Sequence, residues 1–389
     1  MRILWVATKP PWPPRDGGRL LQLLTLEALA GAGHEIELVA PAAGPAEELA
    51  EAEQRLAVWC RPHLVRRRFR PVLADLAGSL ARRVPWTIQR HTVPAVRRRV
   101  SALLASATFD VVHAEQLQAL PQAAAGRVPV VLREQNVESE LWAGLAARRR
   151  GSAPWLRLEA ARLERWEGAA VRRAAATVAL TAADAERLRR LAGGEAAVEW
   201  VPAPFPAGLE PAARALPGSP AVVLFGSDGW APNRDQIRWF VGEAWPRARA
   251  ALPGAVLHLF GGVATAAAGV ASHPAPAESR EVFAPGAVLV VPLRVASGVR
   301  LKILEAWARG VPVVATPEAA AGLGATDGRE LLLARDGAAF AAALARLPSE
   351  PALGPALVEA GRAALRSRHD PARVAGRLAA VYRRVAERS

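Results

Sequence analysis

The sequence SGVRLKILE, which begins at Ser297, brings together side chains that could bind a phosphate group. Ser297 and Gly298 can present a hydroxyl group and backbone amides to an anion, and Arg300 and Lys302 place positive charge at the start of a predicted helix. Glu305 follows Lys302 by three residues and therefore shares its helix face. The alternative interpretation is an ordinary surface ion pair between Lys302 and Glu305.

The elements around this segment favour the phosphate site. Residues 288–292 and 311–315 are apolar runs that predict strands, and residues 301–309 predict a helix between them. In such a βαβ unit the loop opens at the helix N-terminus, where negative charge is stabilised. Only two of the 50 Lys and Arg residues are lysines. The base composition of the genome is one explanation of this ratio, and a need for a compact point charge at Lys302 is the other. The predicted binding set therefore runs through Ser297, Gly298, Val299, Arg300, Lys302 and Glu305.

Gly17 and Gly18 occupy a comparable position near the start of the chain. An apolar run at 2–8 predicts a strand, a Pro/Gly loop follows, and residues 19–32 have helical spacing before a strand at 35–40. Glycines at a helix N-terminus let backbone amides approach an anion closely. A tight turn before a helix is the alternative interpretation.

Two further polar groups follow predicted strands. The loop FGSDGWAPNRD, which begins at Phe225, offers Ser227, Asn233 and Arg234, although capping of the next helix by Asn233 is a strong alternative. In the first half, His113 and Glu115 lie near the segment REQNVE at 133–138, and such a cluster could meet an acceptor hydroxyl. A histidine after a strand is more often a hydrogen-bonded structural residue. We nevertheless predict His113, Glu115 and Lys302 as catalytic residues.

The order of the elements predicts an α/β fold with two Rossmann-like, doubly wound domains facing across a cleft. The βαβ rhythm stops at the proline-rich segment 200–220 and restarts at a strand over 221–225. We predict a first domain over 1–202, a second over 203–370, and a C-terminal helix over 371–389 that packs back on the first. Further helices are expected at 46–58, 93–107, 154–175, 181–191 and 233–252.

The net charge of +14 requires an explanation. Arginine runs at 66–70, 97–99 and 148–150 predict either solvated helix faces or a surface for an anionic membrane or acceptor. No nucleic-acid-binding module accompanies these runs, so we predict no nucleic acid partner. The single cysteine, Cys60, fits the cytoplasm, and no apolar run reaches the ~18 residues that a spanning helix needs.

Several other chemistries lack their sequence signatures. The chain has no HExxH motif or other metal-ligand cluster, no GxSxG elbow and no P-loop. No GxGxxG follows the first strand, which argues against a nicotinamide enzyme. We therefore predict neither a metal site nor a cofactor.

Several stretches together resemble the family 4-like (group 1) glycosyltransferases, which have the GT-B fold. The sequences concerned are SGVRLKILEAWARGVPVVAT, PPRDGGRLLQLLTLEALAGAGHEIELV, DVVHAEQ, LREQNVES, RRAAATVALTAADAERL and GSDGWAPNRDQIRWFVGEAWPRARAALPGAVLHLFGG. This resemblance covers nearly the whole chain. It implies an enzyme that moves a hexose-type sugar from a nucleoside diphosphate sugar to a glycan, lipid-linked or small-molecule acceptor.

The resemblance also implies roles for individual residues. Lys302 and Arg300 would supply charge near the diphosphate, Glu305 would hold the ribose hydroxyls, and Gly17 and Gly18 would approach the diphosphate or sugar. The loop at 270–276 would contact the base. The family is generally retaining and metal-independent. This chain departs from the family at Ser297, where a carboxylate is usual.

Two alternatives remain open at the level of sequence. Ser297 in place of the carboxylate would suit a protein that binds a nucleotide sugar or glycan without catalysis. A sugar-nucleotide epimerase can share the same architecture.

Overall fold

The structure is a computed structural model that describes residues 1–67, 70–148, 151, 153–226, 231–261, 265–294 and 297–388. The chain divides into two compact units. The first unit comprises Met1–Pro204, Ser297–Val299 and Pro371–Ser389, and the second comprises Phe205–Ala296 and Arg300–Asp370.

The first unit contains a seven-stranded parallel sheet. Its strands are β1 (Arg2–Val6), β2 (Glu35–Ala42), β3 (Arg61–Arg66), β4 (Val111–Glu115), β5 (Val130–Glu134), β6 (Ala176–Ala179) and β7 (Val198–Trp200). They are ordered β3-β2-β1-β4-β5-β6-β7. The strand order reverses between β1 and β4, and ligands of such sheets bind beyond the carboxyl ends of the strands at that point.

Ten α-helices of the first unit are described. They are α1 (Gly17–Gly31), α2 (Ala46–Leu56), α3 (Val72–Ala81), α4 (Trp86–His91), α5 (Pro94–Ser106), α6 (Leu120–Ala123), α7 (Glu138–Arg148), α8 (Ala153–Arg173), α9 (Ala182–Ala192) and, at the end of the chain, α16 (Pro371–Ala386). Helix α9 begins as the sequence predicts, because the Thr181 side chain accepts a hydrogen bond from the amide of Asp184.

The central strand β1 is buried on both faces. Ile3 and Trp5 lie in one apolar cluster, and Leu4 and Val6 lie in another. This alternation is expected of a parallel strand with helices on both sides of its sheet. Leu378 and Tyr382 of α16 belong to the same cluster as Trp5.

The second unit contains a six-stranded parallel sheet. Its strands are β8 (Ala221–Phe225), β9 (Val256–Phe260), β10 (Val270–His273), β11 (Ala287–Val291), β12 (Val313–Ala315) and β13 (Leu332–Leu333). The order is β10-β9-β8-β11-β12-β13, so the reversal lies between β8 and β11. Together with the first sheet, this arrangement confirms the predicted α/β class and the Rossmann-like winding of each unit.

The helices described in the second unit are α10 (Ala231–Trp239), α11 (Trp245–Ala251), α12 (Leu301–Arg309), α13 (Pro317–Ala320), α14 (Gly337–Ser349) and α15 (Leu353–Ala364). The helix predicted over 233–252 is one continuous helical stretch over 231–251, in which a π-helical turn at Phe240–Ala244 divides α10 from α11. Pro246 accounts for the π-helical turn, since proline lacks an amide hydrogen and its ring clashes with the preceding turn.

Candidate functional site

The second unit holds Lys302 at the point where its strand order reverses. Lys302 lies in the first turn of α12, and its Nζ donates a hydrogen bond of 2.7 Å to the carbonyl oxygen of Phe225, the last residue of β8. The same Nζ lies 4.5 Å from the centre of the Phe225 ring. The ammonium group is therefore fixed at the carboxyl end of the central strand, where α/β sheets bind their ligands.

Burial makes this ammonium group easy to deprotonate. Desolvation, together with the nearby charge of Arg300, lowers the pKa of Lys302 to about 7. Arg300 itself is the residue immediately before α12. Two cations held close together in a poorly hydrated place favour an anionic ligand, because the ligand would relieve their mutual repulsion.

Glu305 lies one turn further along α12 and is buried. Its Oε1 accepts hydrogen bonds from Ser279 Oγ at 2.5 Å and from Arg309 Nε at 2.9 Å. Both hydrogen bonds described for this carboxylate are accepted by Oε1.

Asn233 packs against Gly226, the residue that directly follows β8. Its Oδ1 accepts a hydrogen bond of 3.0 Å from Gln236, and a Cβ atom at Gly226 would lie 2.6 Å from the Asn233 side chain. Gly226 is therefore required for this contact. Arg234 lies in the first turn of α10 and is exposed. Ser227 lies outside the described residues.

The predicted base-binding loop at 270–276 is in part a strand. Val270–His273 forms β10 and pairs with β9 at the edge of the sheet. The family resemblance implied a loop here, and the short sequence VASH has no strong apolar run that would predict a strand. His273 stacks on Phe260, with ring centres 4.3 Å apart, and accepts or donates a hydrogen bond of 3.0 Å with His258.

Ser297 and Gly298 interact with a carboxylate in the first unit. Ser297 Oγ accepts a hydrogen bond of 2.8 Å from the amide of Val137 and lies 3.4 Å from Asp184 Oδ1. The amide of Gly298 donates a hydrogen bond of 3.1 Å to Asp184 Oδ2. The Ser297 hydroxyl group and the Gly298 amide, which the sequence predicted to bind a phosphate, thus contact Asp184 in the first turn of α9. Val299 belongs to the same unit.

Gly17 and Gly18 begin α1, as the sequence predicts. Asp16 caps the helix by accepting a hydrogen bond of 3.0 Å from the amide of Arg19, and Lys9 Nζ lies 2.8 Å from the same carboxylate. Burial alone would raise the pKa of Asp16, but these partners hold it below its ordinary value. Gly17 is exposed at this helix N-terminus.

Gly18 accommodates a polar network at the carboxyl ends of three strands. A Cβ atom there would lie 2.7 Å from Gln135 Oε1. Gln135 Nε2 donates to Glu115 Oε1 at 2.7 Å, and Gln116 Nε2 donates to Gln135 Oε1 at 3.1 Å. Thr8, which follows β1, donates to Gln116 at 2.6 Å. The network lies where the order of the first sheet reverses.

His113 and Glu115 form the buried end of this network, and both are 0% exposed. His113 Nε2 lies 2.9 Å from Glu115 Oε2, its Nδ1 lies 2.7 Å from the Tyr382 hydroxyl, and its ring stacks on Trp5 at 3.7 Å. Burial lowers the pKa of His113 to about 4 despite the neighbouring carboxylate. Both ring nitrogens of His113 therefore have partners within the first unit, and the catalytic roles predicted for His113 and Glu115 stay predictions.

Sequence reasoning grouped His113 and Glu115 with the segment at 133–138 but did not predict the individual pairings. Arg133 Nε donates to Glu115 Oε2 at 2.8 Å and keeps the pKa of this buried carboxyl group below its ordinary value, although burial alone would raise it. Arg294 follows β11 and binds Asp235 at 2.9 Å. The position of Arg294 directly after an apolar strand could have identified it from the sequence. No sequence signal predicts the pairing of Asp184 with Ser297.

Two features are absent from the described part of the chain. Within 1–388, apart from the gaps stated above, no group of three or more His, Cys, Asp or Glu side chains is placed to hold a metal ion. None of the helices described is both long enough and apolar enough to cross a membrane.

Two family models match the sequence. A model of glycosyltransferase family 4 matches residues 23–205, and a model of the glycosyl transferases of group 1 matches residues 219–350. Between them, these matches span most of both units. No curated protein sequence matches the chain.

Solved structures resemble the whole chain. Sucrose-phosphate synthase from Thermosynechococcus elongatus is 18% identical, with a TM-score of 0.72 over 100% of this chain and 99% of that chain. HepE from Anabaena in complex with UDP-glucose is 15% identical, with a TM-score of 0.65 over 98% of each chain. TarM from S. aureus, in complex with fondaparinux, α-GlcNAc-glycerol and UDP, is 8% identical, with a TM-score of 0.66 over 98% of this chain and 100% of that chain. At these identities the likeness establishes the fold, and it confirms the predicted GT-B type.

Proposed function

The chain belongs to the family 4-like (group 1) glycosyltransferases, and from this premise we propose that it transfers a hexose-type sugar from a nucleoside diphosphate sugar to a glycan, lipid-linked or small-molecule acceptor. The second unit binds the donor, and the first unit binds the acceptor. The observation that carries the proposal is the part-buried Nζ of Lys302, 2.7 Å from the carbonyl oxygen of Phe225 at the carboxyl end of β8.

Lys302 and Arg300 neutralise the diphosphate in this proposal. During transfer the bond between the anomeric carbon and the diphosphate oxygen breaks, a bond to an acceptor oxygen forms, and the proton of the acceptor hydroxyl passes to an oxygen of the departing diphosphate. Negative charge therefore grows on the leaving diphosphate, and fixed cations stabilise that charge most strongly in a water-poor site. Because two side-chain cations are already present beside α12, the proposed reaction is metal-independent, and we propose that it retains the anomeric configuration as the family generally does.

Glu305 binds the nucleoside in this proposal by accepting hydrogen bonds from the ribose hydroxyls. Ser279 and Arg309 hold the carboxylate through Oε1, which fixes the direction of Oε2. The neighbours HepE and TarM are solved with UDP-glucose and UDP, respectively, and this supports uridine donors as the first to be tested.

The first unit contributes an exposed helix N-terminus at Gly17 and the polar network that ends at Glu115. We propose that Gly17 contacts an anionic group of the substrate through its backbone and that His113 positions Glu115. The protein acts in the cytoplasm in this proposal, with contact to the inner, anionic face of the membrane supported by the arginine-rich surface of the first unit.

One observation favours a second candidate. Ser297 stands where the family usually has a carboxylate, and its hydroxyl group contacts the amide of Val137 and the carboxylate of Asp184. A protein that binds nucleotide sugars without transferring them would tolerate this change. Slow release of free sugar from a bound donor distinguishes the two, because a pure binder leaves the donor intact.

Thermal unfolding with a panel of nucleoside diphosphate sugars tests the proposal. A donor at 100 times its dissociation constant adds ~2.7 kcal/mol of stability, so a true donor raises the melting temperature clearly. We expect Lys302→Met and Glu305→Gln to abolish this increase and to reduce sugar transfer by about 100-fold or more. Glu318→Gln, which changes an exposed carboxylate beyond α12, is the matched control.

The result that contradicts the proposal is equally clear. If no nucleoside diphosphate sugar raises the melting temperature of the wild-type protein, the donor assignment fails. If transfer persists at the wild-type rate in folded Lys302→Met, the role of Lys302 fails.

A further inference from the structure

Helix α3 turns its apolar side chains to the solvent and its polar side chains inward. Val72, Leu73 and Leu80 are 56%, 78% and 57% exposed, whereas Asp75 and Ser79 are 2% and 0% exposed. A surface helix of a globular protein normally shows the opposite arrangement. Three of the most exposed large apolar residues in the described chain thus lie on one helix of ten residues.

The inward face of α3 is held firmly by polar contacts. Asp75 Oδ2 accepts a hydrogen bond of 2.7 Å from Arg90, and Ser79 Oγ donates one of 2.7 Å to a carbonyl in the turn that follows the helix. A Cβ atom at Gly78 would lie 2.8 Å from Gln89 Nε2, so α3 packs closely on α4. These contacts fix the orientation of the helix and therefore keep its leucines on the outside.

A basic cavity lies beside α3. Its volume is about 250 Å³, and the arginines that line it are Arg66, Arg67, Arg70, Arg90 and Arg98. Among the residues that line it, Asp75 is the sole carboxylate, and it already binds Arg90. Burial and the neighbouring guanidinium of Arg90 lower the pKa of Arg67. An anion bound in the cavity would raise this pKa again, because it would stabilise the charged guanidinium. The cavity therefore has the size and the charge for a phosphate group.

Cations and exposed leucines occur together along this stretch of chain. Arg66 and Arg70 precede α3 and are exposed, and Arg82 and Arg83 follow it and are exposed as well. A soluble phosphorylated molecule would use the cavity but would have no use for the leucines. A lipid bilayer uses both, because its phosphates bind arginine while its acyl boundary accepts apolar side chains.

From these observations we infer that α3 and the arginine cavity beside it form a docking surface for an anionic lipid bilayer. Leu73 and Leu80 enter the boundary between headgroups and acyl chains, and the cavity binds a lipid phosphate. The inference rests on the membrane contact included in the proposed function and assigns that contact to named residues. It does not depend on sugar transfer or on donor binding.

Binding of the full chain to vesicles tests the surface. We expect sedimentation with vesicles of phosphatidylcholine and phosphatidylglycerol, weaker sedimentation at physiological than at low salt, and little with phosphatidylcholine alone. Arg66→Ala/Arg70→Ala should weaken binding by about fivefold for each arginine. Leu73→Ser/Leu80→Ser should weaken it by about tenfold or more, since buried apolar area is lost.

Matched controls lie in the same unit. Arg61→Ala changes an exposed arginine at the other end of β3, and Val58→Ser changes an apolar side chain that is 72% exposed and follows α2. Both controls should bind vesicles like the wild type. The melting temperature of each variant without vesicles shows whether it has folded, and its response to nucleoside diphosphate sugars should be unchanged.

Three results would overturn the inference. One is no sedimentation of the wild type with phosphatidylglycerol vesicles at low salt. Another is a wild-type protein that does not bind vesicles but whose melting temperature is raised by inorganic phosphate, while that of Arg66→Ala/Arg70→Ala is not. This result would mean that the cavity is a site for soluble anions. The third is a wild-type protein that self-associates but does not bind vesicles, and whose self-association is lost in Leu73→Ser/Leu80→Ser. This result would mean that α3 forms an interface between copies of the chain. A loss of transfer in Lys302→Met with normal vesicle binding would bear on the proposed function alone.

Discussion

Lys302 donates a hydrogen bond of 2.7 Å to the carbonyl oxygen of Phe225, so the cation of α12 is held at the last residue of β8. This contact connects α12, which carries the charge, to β8, where the strand order of the sheet reverses. A backbone carbonyl is a weak substitute for a diphosphate, and the pKa of about 7 indicates that this ammonium group is poorly stabilised before a ligand arrives.

The affinity for a nucleoside diphosphate sugar should fall as the pH rises above about 7. A bound diphosphate raises the pKa of Lys302, so above pH 7 the complex takes up a proton that the free protein lacks. The affinity then weakens by up to about tenfold per pH unit until the raised pKa is reached. Calorimetric titration in buffers of different ionisation enthalpy measures the uptake directly. Lys302→Arg, which stays charged, should show no uptake in this range, and a wild-type affinity independent of pH would refute the linkage.

Tyr382→Phe should destabilise the first unit without disturbing its packing. The change removes the hydroxyl group that lies 2.7 Å from His113 Nδ1 and leaves a buried ring nitrogen without that partner. The expected loss is about 1–3 kcal/mol in the free energy of unfolding, measured by urea denaturation. Tyr382 is the protein's single tyrosine, and burial raises its pKa well above the ordinary value. Tyrosinate absorbance in the wild type should therefore appear only as the protein unfolds in alkali, and early ionisation would contradict the buried contact.

Glu134→Gln should stabilise the protein at pH 8 and have little effect at pH 5. Burial, with Glu167 and Glu138 nearby, raises the pKa of Glu134 well above 4.5. The folded carboxyl group thus stays protonated while the unfolded one ionises, so the native protein loses stability as the pH rises above the unfolded value. Each kcal/mol recovered by the substitution raises the melting temperature by roughly 2–4 °C.

The control for this prediction is Glu164→Gln, which changes an exposed carboxylate on α8. It should leave the dependence of the melting temperature on pH unchanged. An equal gain from Glu134→Gln at both pH values would mean that the buried charge is not its cause.

Gly298→Ala should destabilise the protein more than Gly286→Ala. Both glycines have a positive φ, 72° and 74°, so alanine is strained at either position by ~1 kcal/mol. A Cβ atom at Gly298 would also lie 2.0 Å from the carbonyl oxygen of Gln135, while one at Gly286 would meet nothing within 4 Å. The difference between the two free energies of unfolding therefore isolates the close approach. Equal losses would show that residues 297–299 do not pack on Gln135 in solution.

The central strands could be predicted because each is a run of apolar residues between turn signals. The prediction of β8 over 221–225 was confirmed to the residue, and so was that of α12 over 301–309. The edge strands were missed. Strand β3 has the sequence RPHLVR and β10 has VASH, and neither is buried on both faces, so neither needs a continuous apolar run.

The site was predictable where its residues are neighbours in sequence. The charged residues at the start of α12 lie within a few positions of each other, and helical geometry alone places Glu305 on the face of Lys302. The surroundings of His113 were not predictable, because Tyr382 is 269 residues away. The same limit applies to Ser297 and Asp184, which are 113 residues apart.

Helix α16 has a consequence for how the protein is made. Leu378 and Tyr382 complete an apolar cluster whose other members include Ile3, Trp5 and Val111. The ribosome must therefore synthesise all of 205–370 before the residues that close this cluster emerge. Domains usually fold in the order in which they are translated. Here the unit that is begun first is finished last, and until then the nascent chain carries an open apolar surface along Trp5 for chaperones to cover.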